Sequence, residues 1–323
     1  MSVRIIAAAL ILLAGTVAAA APAGAQPLGI GTSPQGTLTY ALGTAFARVL
    51  SETERVSARV QPSAGTGVMI PLLDRGELDI GFANTLEVLE AYNGTGSFNG
   101  RPQRNLRMAA LMMPIRVGVF VRRDSPIRSL ADLRGRTIAY GYTSQEIIKT
   151  ILDGVLANAG LTIADARPIL VPNLIRGVDE FIGGRVEVGF FALGQAKVTE
   201  ADASVGGIRF LAMSDAAQAV EAMRRIVPGS YMARVEPGPG MPGVTEPIMT
   251  MHYDYVMFVN ASLPAARVTQ LTRALSQNRD ALAASVQAFA ELQPQRFWRS
   301  FPVPYHDGAV AYFRQANVSQ VQE

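Results

Sequence analysis

Short apolar runs along this chain end in polar loops rich in Gly, Thr and Ser, and each loop opens a stretch with helical spacing. In the first unit the run ends at the loop 31–37, and Leu38, Leu42, Ala45, Phe46 and Val49 then share one face of a helix predicted over 38–50. The second unit predicts a strand at 57–61, the loop Pro62-Ser63-Ala64-Gly65-Thr66-Gly67 and a helix over 68–75. A buried strand at 80–83 follows, with Asn84 and Thr85 at its carboxyl end, where ligands of open α/β sheets sit. Beyond a polar loop at 91–104, the extended run 106–121 is longer than an ordinary strand. Pro114 cannot donate a ladder bond, so the run predicts two strands joined at that residue.

The pattern then repeats. A turn and short helix at 122–133 lead to a strand at 136–140, the loop Gly141-Tyr142-Thr143-Ser144-Gln145 and a helix over 146–159. Ser144 is the expected N-cap of that helix, and Glu146 adds negative charge to its first turn. Next come a strand near 169–171, a helix at 174–182, and a strand at 186–191 ending in Ala192-Leu193-Gly194-Gln195 before another helix. A strand at 208–213 and a helix at 215–226 precede the Gly- and Pro-rich stretch 227–247, most of which carries no pattern of regular structure. A second long extended run, 248–259, ends in Tyr255-Val-Met-Phe-Val, much as the first ends in Val117-Gly-Val-Phe-Val. An amphipathic helical region at 264–287 follows, and Trp298, Phe301 and Tyr305 are expected to pack back on the first half.

Alternating strands and helices predict an α/β fold of two lobes, each a mostly parallel sheet flanked by helices. Residues 26–113 with about 260–323 make lobe 1, and about 114–259 make lobe 2. The runs at 106–121 and 248–259 are the crossover strands and serve as the hinge. Polar loops at the carboxyl ends of the strands in each lobe would face each other across a cleft.

Composition narrows the picture. The 323-residue chain is 49% apolar and 17% charged, which fits a globular protein with a sizeable core. A net charge of +3 is too small a basic excess to imply nucleic acid. Arg4, the apolar run 5–21 and Ala23-Gly24-Ala25 predict a secretory signal peptide over 1–25, cut after Ala25. With zero Cys there is no disulfide framework and no thiol nucleophile. The expected product is an exported periplasmic monomer without a cofactor.

Candidate ligand contacts are the loop residues Thr32, Ser33, Gly36, Thr37 and Tyr40, then Gly65 and Thr66, then Asn84 and Thr85, in lobe 1. In lobe 2 they are Tyr142, Thr143, Ser144, Gln145, Phe191 and Gln195. Such loops offer hydroxyls and free backbone N–H groups to a small anionic or zwitterionic solute. The first loop has the Gly-x-x-x-x-Gly spacing of a phosphate loop, but Thr37 stands where Lys should follow, so nucleotide binding is rejected. Nine Arg lie between Arg101 and Arg136 against Asp124 and Asp132, most of them on a solvated face. Arg116, just past Pro114, is the one placed to grip a carboxylate. The two His, His252 and His306, lack metal-site spacing, and no Gly-x-Ser-x-Gly or Ser-x-x-Lys occurs.

The order of these segments resembles the TAXI-type solute-binding proteins of tripartite ATP-independent periplasmic (TRAP) transporters. The matching stretches are Gly31-Thr32 through Gly36-Thr37 with Tyr40 and Gly43, Ala64-Gly65-Thr66-Gly67, and the Gly-Glu-x-Asp-x-Gly-Phe at 76–82. They continue with Ala91-Tyr92-Asn93-Gly94, Leu-Arg-x-x-Ala-Leu at 106–111, Ser-Leu-Ala-Asp-Leu-x-Gly-Arg at 129–136 and Pro228-Gly229-Ser230-Tyr231. The resemblance implies a type II-like periplasmic binding protein that performs no chemistry and hands a small, carboxylate-bearing solute to a TRAP membrane permease. The family commonly has a Gly-Ser-Gly-Thr-like loop in lobe 2, whereas this chain has the bulkier Gly141-Tyr142-Thr143-Ser144-Gln145 there. A periplasmic sensor subunit and an exported hydrolase are the alternative readings.

Overall fold

A computed structural model describes residues 26–35, 37–143 and 145–321. The expected signal peptide, Gly36 and Ser144 lie outside those residues. The chain opens with β1 (Leu28–Thr32), α1 (Leu38–Thr53), β2 (Ala58–Pro62), α2 (Thr66–Asp74), β3 (Ile80–Asn84) and α3 (Thr85–Asn93). The long β4 (Leu106–Arg122) leads to β5 (Thr137–Gly141), α4 (Glu146–Asn158), β6 (Arg167–Val171), α5 (Leu174–Ile182), β7 (Val188–Ala192) and α6 (Ala196–Ser204). Then come β8 (Ile208–Phe210), α7 (Ala217–Ile226), β9 (Tyr231–Val235), the second long strand β10 (Ile248–Asn260), α8 (Ala265–Gln277), α9 (Arg279–Ser285) and α10 (Asp307–Gln315).

One sheet runs through the molecule in the order β2-β1-β3-β10-β4-β7-β5-β6, with β8 on β4 and β9 on β10. The outer strands pair in parallel at both ends, β1 with β2 and β3, and β5 with β6 and β7. β4 and β10 are antiparallel to each other and to their neighbours β3 and β7. The buried residues divide with the sheet. At the β1–β3 end two clusters form, one under α1, α8 and α10 and one under α2 and α3. At the β5–β7 end a separate cluster is built almost wholly from residues beyond Val117. Leu86 of α3 is the exception, a first-half residue buried in the second-half cluster.

β4 is continuous through Pro114, where the sequence predicted a junction of two strands. The reason lies in which neighbour Pro114 faces. The Arg116 carbonyl accepts from Leu193 N–H, so residues 114 and 116 turn their backbone groups towards β7. β7 ends at Ala192, opposite Val117, so at Pro114 no ladder bond is missing. The partner strand shows a register shift beside it, between Asp254 and Val256. β9 lies inside the stretch read as irregular, where it pairs with β10 along Tyr231–Val235. Trp298 and Tyr305 pack on Phe313 of α10, at ring separations of 5.5 Å and 5.8 Å, against the first-half core.

Candidate functional site

The sheet register brings the carboxyl ends of both sets of parallel strands to the middle of the two long strands. β3 ends at Asn84, opposite Tyr255, and β7 ends at Ala192, opposite Val117. The polar loops that follow β1, β2, β5 and β7, and the direct β3–α3 junction at Asn84, therefore lie towards the level of Pro114 and Asp254, which face each other in the ladder.

From the first half, Thr37 caps α1: its Oγ1 accepts from Tyr40 N–H at 3.3 Å and donates to the Pro34 carbonyl at 2.7 Å. Ser33 N–H donates to Thr39 Oγ1 at 3.3 Å, and Ser33 and Tyr40 are half-buried. Thr32 is fully buried at the end of β1, its methyl pressed on Gly43 of α1. Its hydroxyl has no hydrogen-bond partner among the described residues. Gly65 precedes α2 in open space: apart from its chain neighbours, no described residue comes within 4 Å of where a Cβ would stand.

The tightest cluster forms around a residue the sequence reading passed over, Glu87 in the first turn of α3. Thr66 Oγ1 donates to its carboxylate at 2.6 Å, and Asn84 Nδ2 donates at 2.7 Å. Asn84 also caps the helix, its Oδ1 accepting from Glu87 N–H at 2.9 Å. Burial pushes the Glu87 carboxyl up to about 7 against these two donors, which favour the charged form. The signal in the sequence was Asn84-Thr85-Leu86-Glu87, an N-cap with an acid three residues on, the capping-box spacing. One turn further, Glu90 is pushed up by burial and then by the charge of Glu146 on α4. The two halves therefore face each other here, and Leu86 supplies the apolar contact between them.

The second half contributes less than the sequence promised. Tyr142 does not line the opening: it is 1% exposed, packs in the second-half core and donates its hydroxyl to the Ala139 carbonyl at 3.0 Å. Its backbone takes φ +45°, which turns the side chain inward under Gly177 of α5. Thr143 and Gln145 are exposed, and Gln145 Oε1 accepts from Leu174 N–H at the start of α5, at 2.9 Å. Phe191 is half-buried against the second-half core, and Gln195 precedes α6 without making a side-chain cap bond.

Arg116 is not free to grip a solute. Both of its terminal nitrogens bind Glu291, one at 2.7 Å. Arg296, exposed and without an ion pair among the described residues, stands nearby and lines a recess with Pro114, Asp254 and Glu291. That recess measures about 20 Å³, room for one water. His252, opposite Arg116, hydrogen-bonds Thr250 Oγ1 at 3.0 Å. Burial, then the charges of Arg116 and Arg296, hold its imidazole down to about 4, so it is neutral at ordinary pH.

Residues 30–316 match the model of the NMT1-like family. Among solved structures, a TctC solute binding protein from Polaromonas is 14% identical over 84% of this chain and 90% of its own, at a TM-score of 0.54. XAC2383 from Xanthomonas citri, solved with chloride, is 14% identical over 89% of this chain and 95% of its own, at a TM-score of 0.51. The periplasmic aliphatic sulphonate binding protein SsuA from Escherichia coli is 14% identical over 91% of this chain and 94% of its own, at 0.50. At such identity these likenesses show the fold: the two-lobe α/β arrangement of periplasmic binding proteins.

Proposed function

The chain belongs to the NMT1-like family, and from that premise we propose that it is an exported solute-binding protein that traps a small solute between two lobes. The observation that carries the reading is the convergence of the strand ends, Asn84 at Tyr255 and Ala192 at Val117, on the middle of β4 and β10. Residues 26–113 with about 260–323 form lobe 1 and about 114–259 form lobe 2, a division the separate cores support except at Val256, Met257, Phe258 and Val259, which are buried with the first half. Lobe closure bends the two long strands and covers the solute; no chemistry follows.

The solute carries a carboxylate, met by the backbone N–H groups at the starts of α1 and α4 and by Arg296. Burial pushes the Glu87 and Glu90 carboxyls up, and an ammonium beside them would draw them into the charged form while a second carboxylate would not, which favours an amino acid over a dicarboxylate. Delivery is to a TRAP-type permease, in line with the motifs running from Gly31 to Tyr231. Export follows from the signal peptide over 1–25.

A thermal-shift screen of amino acids, dicarboxylates and 2-oxoacids tests this. A micromolar binder at millimolar concentration stabilises the fold by about 4 kcal/mol, and Glu87→Ala removes that gain for an amino acid. If every small acid leaves the melting temperature unchanged, the carboxylate reading fails.

A further inference from the structure

We propose that Asp254, Arg299 and Tyr231 form a tie across the hinge that sets the balance between open and closed lobes. The inference rests on the two-lobe reading above. On one edge of β10, β9 pairs with residues up to His252 and β3 pairs from Tyr255 onward. Tyr253 and Asp254 therefore stand in the gap between the two braces. On the outer edge of β4, the C-terminal segment bonds as far as Leu111, and β7 pairs from Val117. The strands can bend where, among the described residues, no strand pairs with either outer edge, and Asp254 stands there beside the register shift.

Two distant parts of the chain meet on the Asp254 carboxylate, and a third holds its backbone. Tyr231, on β9 in lobe 2, donates its hydroxyl to Oδ1 at 3.0 Å. Arg299, on the C-terminal segment that packs on lobe 1, binds Oδ2. Its guanidinium also lies over the Tyr231 ring, 5.1 Å from the centroid. Thr85, at the start of α3, accepts from Asp254 N–H at 3.4 Å. The two charged side chains are 7% and 8% exposed, so the pair is shielded from salt and water. Phe301 adds an apolar contact, its ring 3.3 Å from where a Cβ on Gly229 would stand. A rotation of lobe 2 on lobe 1 carries Tyr231 relative to Arg299, so Asp254 holds the angle at which both reach it. Weakening the tie widens the range of angles, and the affinity for any solute falls with the share of closed molecules.

The absence of cysteine makes site-directed labelling clean. Glu52→Cys on α1 and Glu221→Cys on α7 place spin labels on exposed residues of the two lobes. Pulsed dipolar spectroscopy on the unliganded protein reads the distance between them. The expected result is one narrow distribution in the doubly labelled parent, a broadened one in Tyr231→Phe, and a broader one still in Asp254→Asn. Tyr231→Phe removes one hydroxyl and keeps the ring, so it folds even if Asp254→Asn does not. A lower melting temperature in Tyr231→Phe with the distance distribution unchanged overturns the proposal, because that is what a merely structural contact would give. No solute enters the measurement, so failure of the solute screen leaves its outcome unaffected.

Discussion

Glu87 shows how burial and hydrogen bonding divide the work at a single residue. Thr66 and Asn84 orient its carboxylate, while burial raises its proton affinity to about 7. The folded chain keeps that proton where the unfolded chain, near 4.5, has released it. Stability therefore falls as pH rises between 4.5 and about 7, and Glu87→Gln flattens that part of the melting-temperature profile. His252 acts in the opposite sense. Its folded value of about 4 lies below the ordinary 6.5, so the unfolded chain takes up a proton first and stability falls as pH drops through that interval. His252→Gln lessens the acid-side loss, and differential scanning calorimetry of the two single variants across the range separates the effects. Tyr142 was beyond reach of the sequence at this scale. A Tyr in a Gly/Thr/Ser loop reads as a loop contact, and only its positive φ sends it into the core.

At the level of elements, the strand–loop–helix units were legible because the apolar spacing switches from two to 3.6 across each polar loop. Helix α5 was predicted with its observed bounds, and α1 and α4 within a few residues. What escaped were α3, whose local capping signal at Asn84 and Glu87 was passed over, and elements whose signal is tertiary. β9 exists because β10 offers it an edge, and α10 because Ala309, Tyr312 and Phe313 find the first-half core. The β4 error had the same source: whether a proline interrupts a strand depends on a neighbour the local sequence does not name. Two substitutions test the element account. Asn84→Ala removes the cap of α3 and costs about 1 kcal/mol in urea denaturation. Gly308→Ala drives a methyl to 2.2 Å from the Ala265 carbonyl, where α10 meets α8, and costs about 1–3 kcal/mol as the helices separate.

For the whole molecule, the two-lobe plan was readable from repetition of the same unit order on either side of two long runs. The charge arrangement of the hinge was not, because Arg116 meets Glu291 across 175 positions of sequence and Asp254 meets Arg299 across 45. A solute that passes the thermal screen is expected to shrink the radius of gyration in small-angle scattering, and an unchanged radius would count against closure. β10 completes both halves of the sheet, and that has a consequence for synthesis. While the ribosome is still short of residue 248, the β3 edge along Ile80–Asn84 and the inner edge of β4 have no strand to cover them. The first lobe, although most of it is made first, closes last. A nascent chain of this protein therefore carries an open, apolar sheet edge from the completion of β3 until its final quarter arrives, and that edge is the part of it most open to pairing with another chain.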